Sequence, residues 1–112
     1  MTTEELNVLL YRKMEKEMEA FKDELRASTP DEIMGKAYEL AIKEDILYHL
    51  EYTDLTDERA KALLKDKKPL DSIYQKWEHM DNHYMDLISD AVEARANDLI
   101  QMRKRDQPEI GR

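Results

Sequence analysis

The stretch Thr29–Tyr52, TPDEIMGKAYELAIKEDILYHLEY, constrains this chain more than any other. Thr29 suits a helix N-cap, Pro30 suits the first turn, and Glu32 stands where a capping box places its carboxylate. At about 100° per residue, Met34, Tyr38, Ala41, Ile42, Tyr48 and Tyr52 share one broad side. Ile33, Ala37, Leu40 and Leu47 widen that side to well over half the circumference. A helix apolar over so much of its surface is expected to be central, wrapped by its neighbours. Lys36, Glu39 and Lys43 fall on the opposite side, where they are expected to be solvated. Asp45 and His49 break the pattern, projecting into the apolar arc one turn apart.

The rest of the chain predicts an all-α, four-helix assembly. Residues 1–103 read as a single helical domain, and 104–112, which include Pro108 and Gly111, as a disordered tail. The first helix is predicted from Glu4 to Ala27. Thr2 and Glu5 have capping-box spacing, and Leu6, Leu10, Met14, Met18, Phe21 and Leu25 form one stripe. Ser28-Thr29-Pro30 breaks the chain and turns it back into an antiparallel hairpin with the central helix. After a turn at Tyr52–Leu55, Thr56 caps a short third helix, TDERAKALLKD, with Asp57 and Glu58 in its first turn. Pro69 stops the connection that follows. The fourth helix is predicted to run unbroken from Leu70 to Arg103, with Ile73, Trp77, Met80, Tyr84, Leu87 and Ala91 alternating at four and three residues. At 1.5 Å per residue it would reach roughly 50 Å and overhang the domain. Most of the seven Met and six Tyr fall in these stripes and read as core. Tyr11, Met18 and Met102 are expected to be the most exposed of them.

Composition narrows the function. With 39% charged residues and 41% apolar ones, the chain supports one modest core. It has no cysteine, which excludes disulfides and Cys-ligated zinc. No apolar run approaches the ~18 residues of a membrane span. The acidic start, MTTEELNVLL, argues against a signal peptide, and the expected location is the cytoplasm. The formal charge of −8 disfavours direct nucleic-acid binding and favours a protein partner with a basic surface. Lys65, Lys67 and Lys68 form only a small basic cluster without interleaved aromatics.

The segment KEDILYHLEYTDLTDERAKALLKDKKPL, followed by the Trp77 helix, resembles a family known as a domain of unknown function. Its members are small helical proteins encoded on phages and conjugative elements of Gram-positive bacteria. The residues that carry the resemblance are Lys43–Leu47, Leu50-Glu51-Tyr52, Asp54-Leu55, Ala60–Leu64 and Pro69-Leu70, with LLYRKMEKEMEAF resembling the opening helix. These are packing and turn motifs, and they bring no activity or ligand with them. They imply a genetic setting, in which small proteins manage transfer, replication or host defence.

Three constellations carry possible chemistry. Asp45 and His49, near Tyr38, Tyr48 and Tyr52, have the makings of an acid–base site. The simpler reading is a buried polar network in which Arg95, stranded on the apolar face of the fourth helix, pairs with Asp45 or Glu44. His79 and His83, an i, i+4 pair followed by Asp86 and Asp90, have the spacing to share a metal ion. Their local string EHMDNH is not HExxH, however, and a solvated polar face with two incidental histidines is the favoured reading. The rows Glu15, Glu19, Asp23 and Asp86, Asp90, Glu93 form a candidate acidic docking face. There is no Gly-rich phosphate loop and no nucleophile elbow. The leading expectation is therefore a non-catalytic binding protein without cofactor. Its sharpest form is an anti-CRISPR-like inhibitor that docks on the basic, nucleic-acid-binding surface of a host nuclease. The alternatives are an adaptor or homodimer formed through the long C-terminal helix, and a metal-dependent or acid–base enzyme using His79/His83 or Asp45/His49.

Overall fold

Helix α1, Thr3–Arg26, is the element on which the others pack. The capping box forms as the spacing predicts: the Glu5 backbone N–H donates to Thr2 Oγ1 at 3.1 Å, and the Thr2 backbone N–H donates to Glu5 Oε1 at 3.0 Å. Its whole apolar stripe, Leu6 through Leu25 at three- and four-residue spacing, is buried. Met18 is among the buried residues rather than exposed as expected, because it sits squarely in that stripe.

A computed structural model describes residues 1–80 and 84–106 of the chain. All of the described regular structure is α-helical, in six helices rather than four. Besides α1 these are α2 (Pro30–Gly35), α3 (Ala37–Tyr52), α4 (Asp57–Leu64), α5 (Pro69–His79) and α6 (Tyr84–Asp106). The chain divides into two compact units, Met1–Met80 and Asp81–Arg112. Both extra helices arise from breaks. The Thr29 capping box forms as expected, but the helix it starts ends at Gly35. Lys36, at φ −109° and ψ 8°, separates α2 from α3. Glycine is a poor helix-interior residue, so the break falls where continuing costs most. The second break falls at Met80, whose ψ of 146° is extended, so α5 ends at His79 instead of running on to Arg103. Helix α6 continues to Asp106, beyond the expected start of the tail, with Arg103, Lys104 and Arg105 in a last turn that favours cations. The remainder of the expected tail lies outside the described residues.

The hairpin forms as the sequence predicts. Lys43 lies over Phe21, while Glu51 lies near Tyr11, so α3 runs antiparallel to α1. The face that α3 buries agrees with the predicted side at Leu40 and Leu47 but not at its tyrosines. Leu40, Ile46, Leu47 and Leu50 pack against the core, whereas Met34, Tyr38, Tyr48 and Tyr52 are exposed. Thr29–Tyr52 is thus covered on one side and is not the centre of the fold. Apolar residues surround α3, so periodicity selects no face, and the phenols favour the side where their hydroxyls reach water. Lys43, predicted to be solvated, is 4% exposed. Its ammonium sits 4.0 Å from the Phe21 ring centroid and 5.7 Å from that of Tyr74. It pairs with Glu39 at 2.7 Å and Asp71 at 3.5 Å, which ties α3 to α5.

Polar side chains of α1 fasten the segments that cross it. The Asn7 amide accepts from the Leu55 backbone N–H at 2.8 Å and donates to the Leu55 carbonyl at 2.9 Å. This holds the connection between α3 and α4 as one residue of a strand pair would be held. Lys13 donates to the Leu64 carbonyl at 2.8 Å and to the Asp66 carbonyl, completing the C-terminal end of α4. The Glu17 carboxylate accepts from the Leu70 and Asp71 backbone N–H groups at 2.9 and 2.8 Å. It caps α5, whose own N-cap residue, Lys68, supplies no side-chain bond. Ala60 of α4 is fully buried, its small side chain allowing close approach to α1.

Two predictions follow from these contacts. Glu17→Ala strips a helix start of two charge-assisted bonds and should cost roughly 1–3 kcal/mol in urea unfolding. Glu15→Ala, on the exposed side, should stay within about 0.5 kcal/mol of wild type. The second prediction concerns Tyr74, which burial, together with its hydrogen bond to Glu78, raises from 10.0 to about 12. The folded state therefore holds the phenol proton more tightly than the unfolded chain does. That stabilisation is complete below pH 10 and is lost as pH rises towards 12. Tyr74→Phe should flatten the alkaline loss of stability when urea midpoints are compared across this window.

Candidate functional site

The residues that most constrain function in the first unit are apolar ones the core leaves partly open. Along one side of α3, Ile42, Ile46 and Leu50 recur every fourth residue. Leu55 from the following connection, Leu63 from α4, and Ile73 and Trp77 from α5 close around them. Together they form a groove of about 470 Å³. That size falls within the roughly 300–1,000 Å³ typical of ligand sites. Five of these side chains, Ile46, Leu50, Leu55, Leu63 and Ile73, also pack on the buried core, so the groove floor is continuous with it. Ile42 is half-buried and stands outside that packing. The Trp77 indole N–H donates to Tyr38 Oη at 2.8 Å, which fixes the ring between α5 and α3.

Asp45 and His49 are the polar groups of this groove. Both are exposed, and neither makes a hydrogen bond or ion pair with another described residue. They occupy the apolar arc as the sequence indicates, but at its wet rim rather than within a core. Glu44 and Arg95 are exposed as well, and Arg95 belongs to α6 in the second unit. Of the network expected of Glu44, Asp45, His49 and Arg95, the three first-unit members are exposed and make no bond with one another. Among the described residues the buried charge is Lys43, and its carboxylates are Glu39 and Asp71.

His79 is the last residue of α5, and its Nδ1 lies 2.7 Å from the Gln75 carbonyl, a geometry in which the ring nitrogen donates. His83 lies outside the described residues. Because α5 ends at His79, the i, i+4 spacing that suggested a shared metal ion does not fall on one uninterrupted helix. Among the described residues, no group of three or more His, Asp and Glu side chains converges to hold a metal.

The candidate docking rows are exposed: Glu15, Glu19 and Asp23 on α1, and Asp86, Asp90 and Glu93 on α6. They stand on separate units and do not constitute one face of either. On α1, Glu15 and Glu19 line a broad depression of about 810 Å³ together with Glu44 and Glu51. Arg12, Lys16 and Lys22 line the same depression, so the surface is mixed in sign. Sequence reasoning missed Asn7, Lys13 and Glu17 as positioning residues. Their signal was weak: Asn7 and Glu17 border the apolar stripe of α1, where side chains reach neighbouring elements.

The first unit is a helical scaffold, ordered around α1, that presents an apolar groove with a carboxylate and an imidazole at its rim. The chain belongs to a family described as a protein of unknown function (DUF3848), whose model matches residues 6–100. No curated protein and no solved structure matches it. Among the described residues, no helix is long and apolar enough to cross a membrane.

The groove contains the chain's single tryptophan, which makes it directly observable. A neutral apolar dye should accept energy from Trp77 when it binds there. Ile42→Glu should abolish that transfer while shifting the urea midpoint by less than about 1 kcal/mol equivalent, since Ile42 lies outside the core packing. Undiminished transfer in the variant would show that the dye does not occupy the groove.

Proposed function

We propose that this chain is a non-catalytic protein-binding module whose groove receives an amphipathic helix of a partner protein. One observation carries the reading: the floor from Ile42 to Trp77 is apolar, and its flanking carboxylate, Asp45, is exposed. A groove of this kind suits a helix with apolar residues at three- and four-residue spacing. A Lys or Arg on that helix, one turn from its apolar anchors, meets Asp45. The net charge of −8 favours approach of a basic partner and speeds the encounter.

The resemblance to proteins of phages and conjugative elements supports a host protein as that partner. The exposed carboxylates Glu15, Glu19 and Asp23, with Asp86, Asp90 and Glu93, favour one with a nucleic-acid-binding surface. In this reading the chain is an anti-defence inhibitor that acts as anti-CRISPR proteins do. Its carboxylates then supplement the groove and do not replace it, because Arg12, Lys16 and Lys22 dilute the acidic row of α1.

Affinity capture from host lysate, run in parallel with wild type, Ile42→Glu and Asp45→Lys, tests the proposal. The expected result is a basic protein retained by wild type and lost from both variants, with retention falling as salt is added. Capture of the same proteins by wild type and Ile42→Glu would remove the groove from the explanation.

A further inference from the structure

We propose that α6 pairs with α6 of a second copy of this chain, antiparallel, and that Arg95 sets the direction. Every residue of α6 is exposed, although five of them, Met85, Ile88, Val92, Leu99 and Met102, form an apolar seam. With Arg95 included, the seam steps by three and four residues without interruption from 85 to 102. That is the spacing by which two helices interlock along their length. Most of a helix's stability in a protein comes from packing its apolar face, so a cover for this seam would contribute much of that of α6.

Two features identify the cover as a second α6 in reverse. The first is register. Turned end for end, the seam matches itself: Met85 meets Met102 of the second copy, Ile88 meets Leu99, and Val92 meets Arg95. Each Arg95 then lays its methylene stem on a valine and carries its guanidinium out to water. In a parallel pair Arg95 would meet Arg95 inside the seam, placing two like charges in one desolvated layer. A single polar seam residue is a known determinant of helix orientation, acting by penalising the alternative. The second feature is charge. The first half of α6 carries Asp86, Asp90 and Glu93, while the second half carries Arg103, Lys104 and Arg105 against Asp98 and Asp106 and is weakly basic on balance. Reversed, each acidic half lies alongside the weakly basic half of its partner; in parallel, the two acidic halves lie beside each other.

This surface is separate from the groove, so either proposal can fail alone. Light scattering of the full chain across a dilution series should show a doubled mass that dissociates on dilution. Val92→Glu should give the single-chain mass at every concentration with the helical circular dichroism of the first unit retained. The absence of native cysteine permits a direct test of direction. Under mild oxidation, a mixture of Met85→Cys and Met102→Cys chains should form the mixed disulfide, and neither variant should cross-link by itself. A single-chain mass for wild type at all concentrations, or a doubled mass that survives Val92→Glu, would overturn the pairing. Efficient cross-linking of Met85→Cys with itself would overturn the antiparallel arrangement.

Discussion

The first unit depends on a division of labour along α1. Its apolar stripe provides the core, and three polar side chains beside the stripe decide what crosses it and where. Asn7 fixes the connection after α3, Lys13 ends α4, and Glu17 begins α5. Hydrophobic contact alone is non-directional and would tolerate slippage of short helices along such a stripe. The polar contacts are directional and made to backbone groups, so each admits one register. They also satisfy donors and acceptors that helix ends would otherwise leave open, which is why they stabilise as well as specify. Among the described residues, no buried side-chain polar atom is left without a partner.

That arrangement reaches the groove through Lys43. The ammonium bridges Glu39 on α3 and Asp71 on α5, and Asp71 is one of the two residues whose backbone N–H groups Glu17 holds. Glu17, Asp71 and Lys43 thus form a chain of contacts from α1 through α5 to α3. Lys43 also lies over the Phe21 and Tyr74 rings, so its charge is met by aromatic faces as well as carboxylates. The two helices that bear Ile46 and Ile73 are thus joined by this ion pair as well as by their apolar packing on the core.

Much of this was legible in the sequence where a local rule had one solution. The stripe of α1 has a single apolar face, and it is buried as its periodicity requires. The Thr2 and Thr29 boxes and the Thr56 cap follow from side chains acting within one turn. The rule had several solutions in α3. Apolar residues on all sides left the choice of face to tertiary packing, and Lys43 could be placed inside only by knowing that Phe21, Tyr74 and two carboxylates converge on it. The apolar pattern likewise continues across Lys36 and Met80, and periodicity registers neither break. An unbroken fourth helix set Arg95 on the same element as Trp77, whereas the break at Met80 places the two on different units. At the groove, Asp45 and His49 were recognisable as misfits on an apolar arc, but the sequence could not distinguish a rim from an interior.

The two apolar surfaces differ in a way that bears on their use. In the groove, side chains from three helices and a connection make a concave site, and most of its floor is anchored in the core. The seam of α6 is a convex line on one helix. A concave site discriminates by shape and accepts only a protruding partner, whereas a line of knobs requires a partner with matching holes, and its own sequence is the simplest source of one. Polar residues beside each surface act in the same manner. Asp45 and Arg95 add little attraction while hydrated, since exposed charges near water are well screened. Their effect comes from the pairings they penalise: an acidic helix against Asp45, or a parallel neighbour against Arg95. Specificity in this chain would then rest on single charges set into otherwise permissive apolar surfaces.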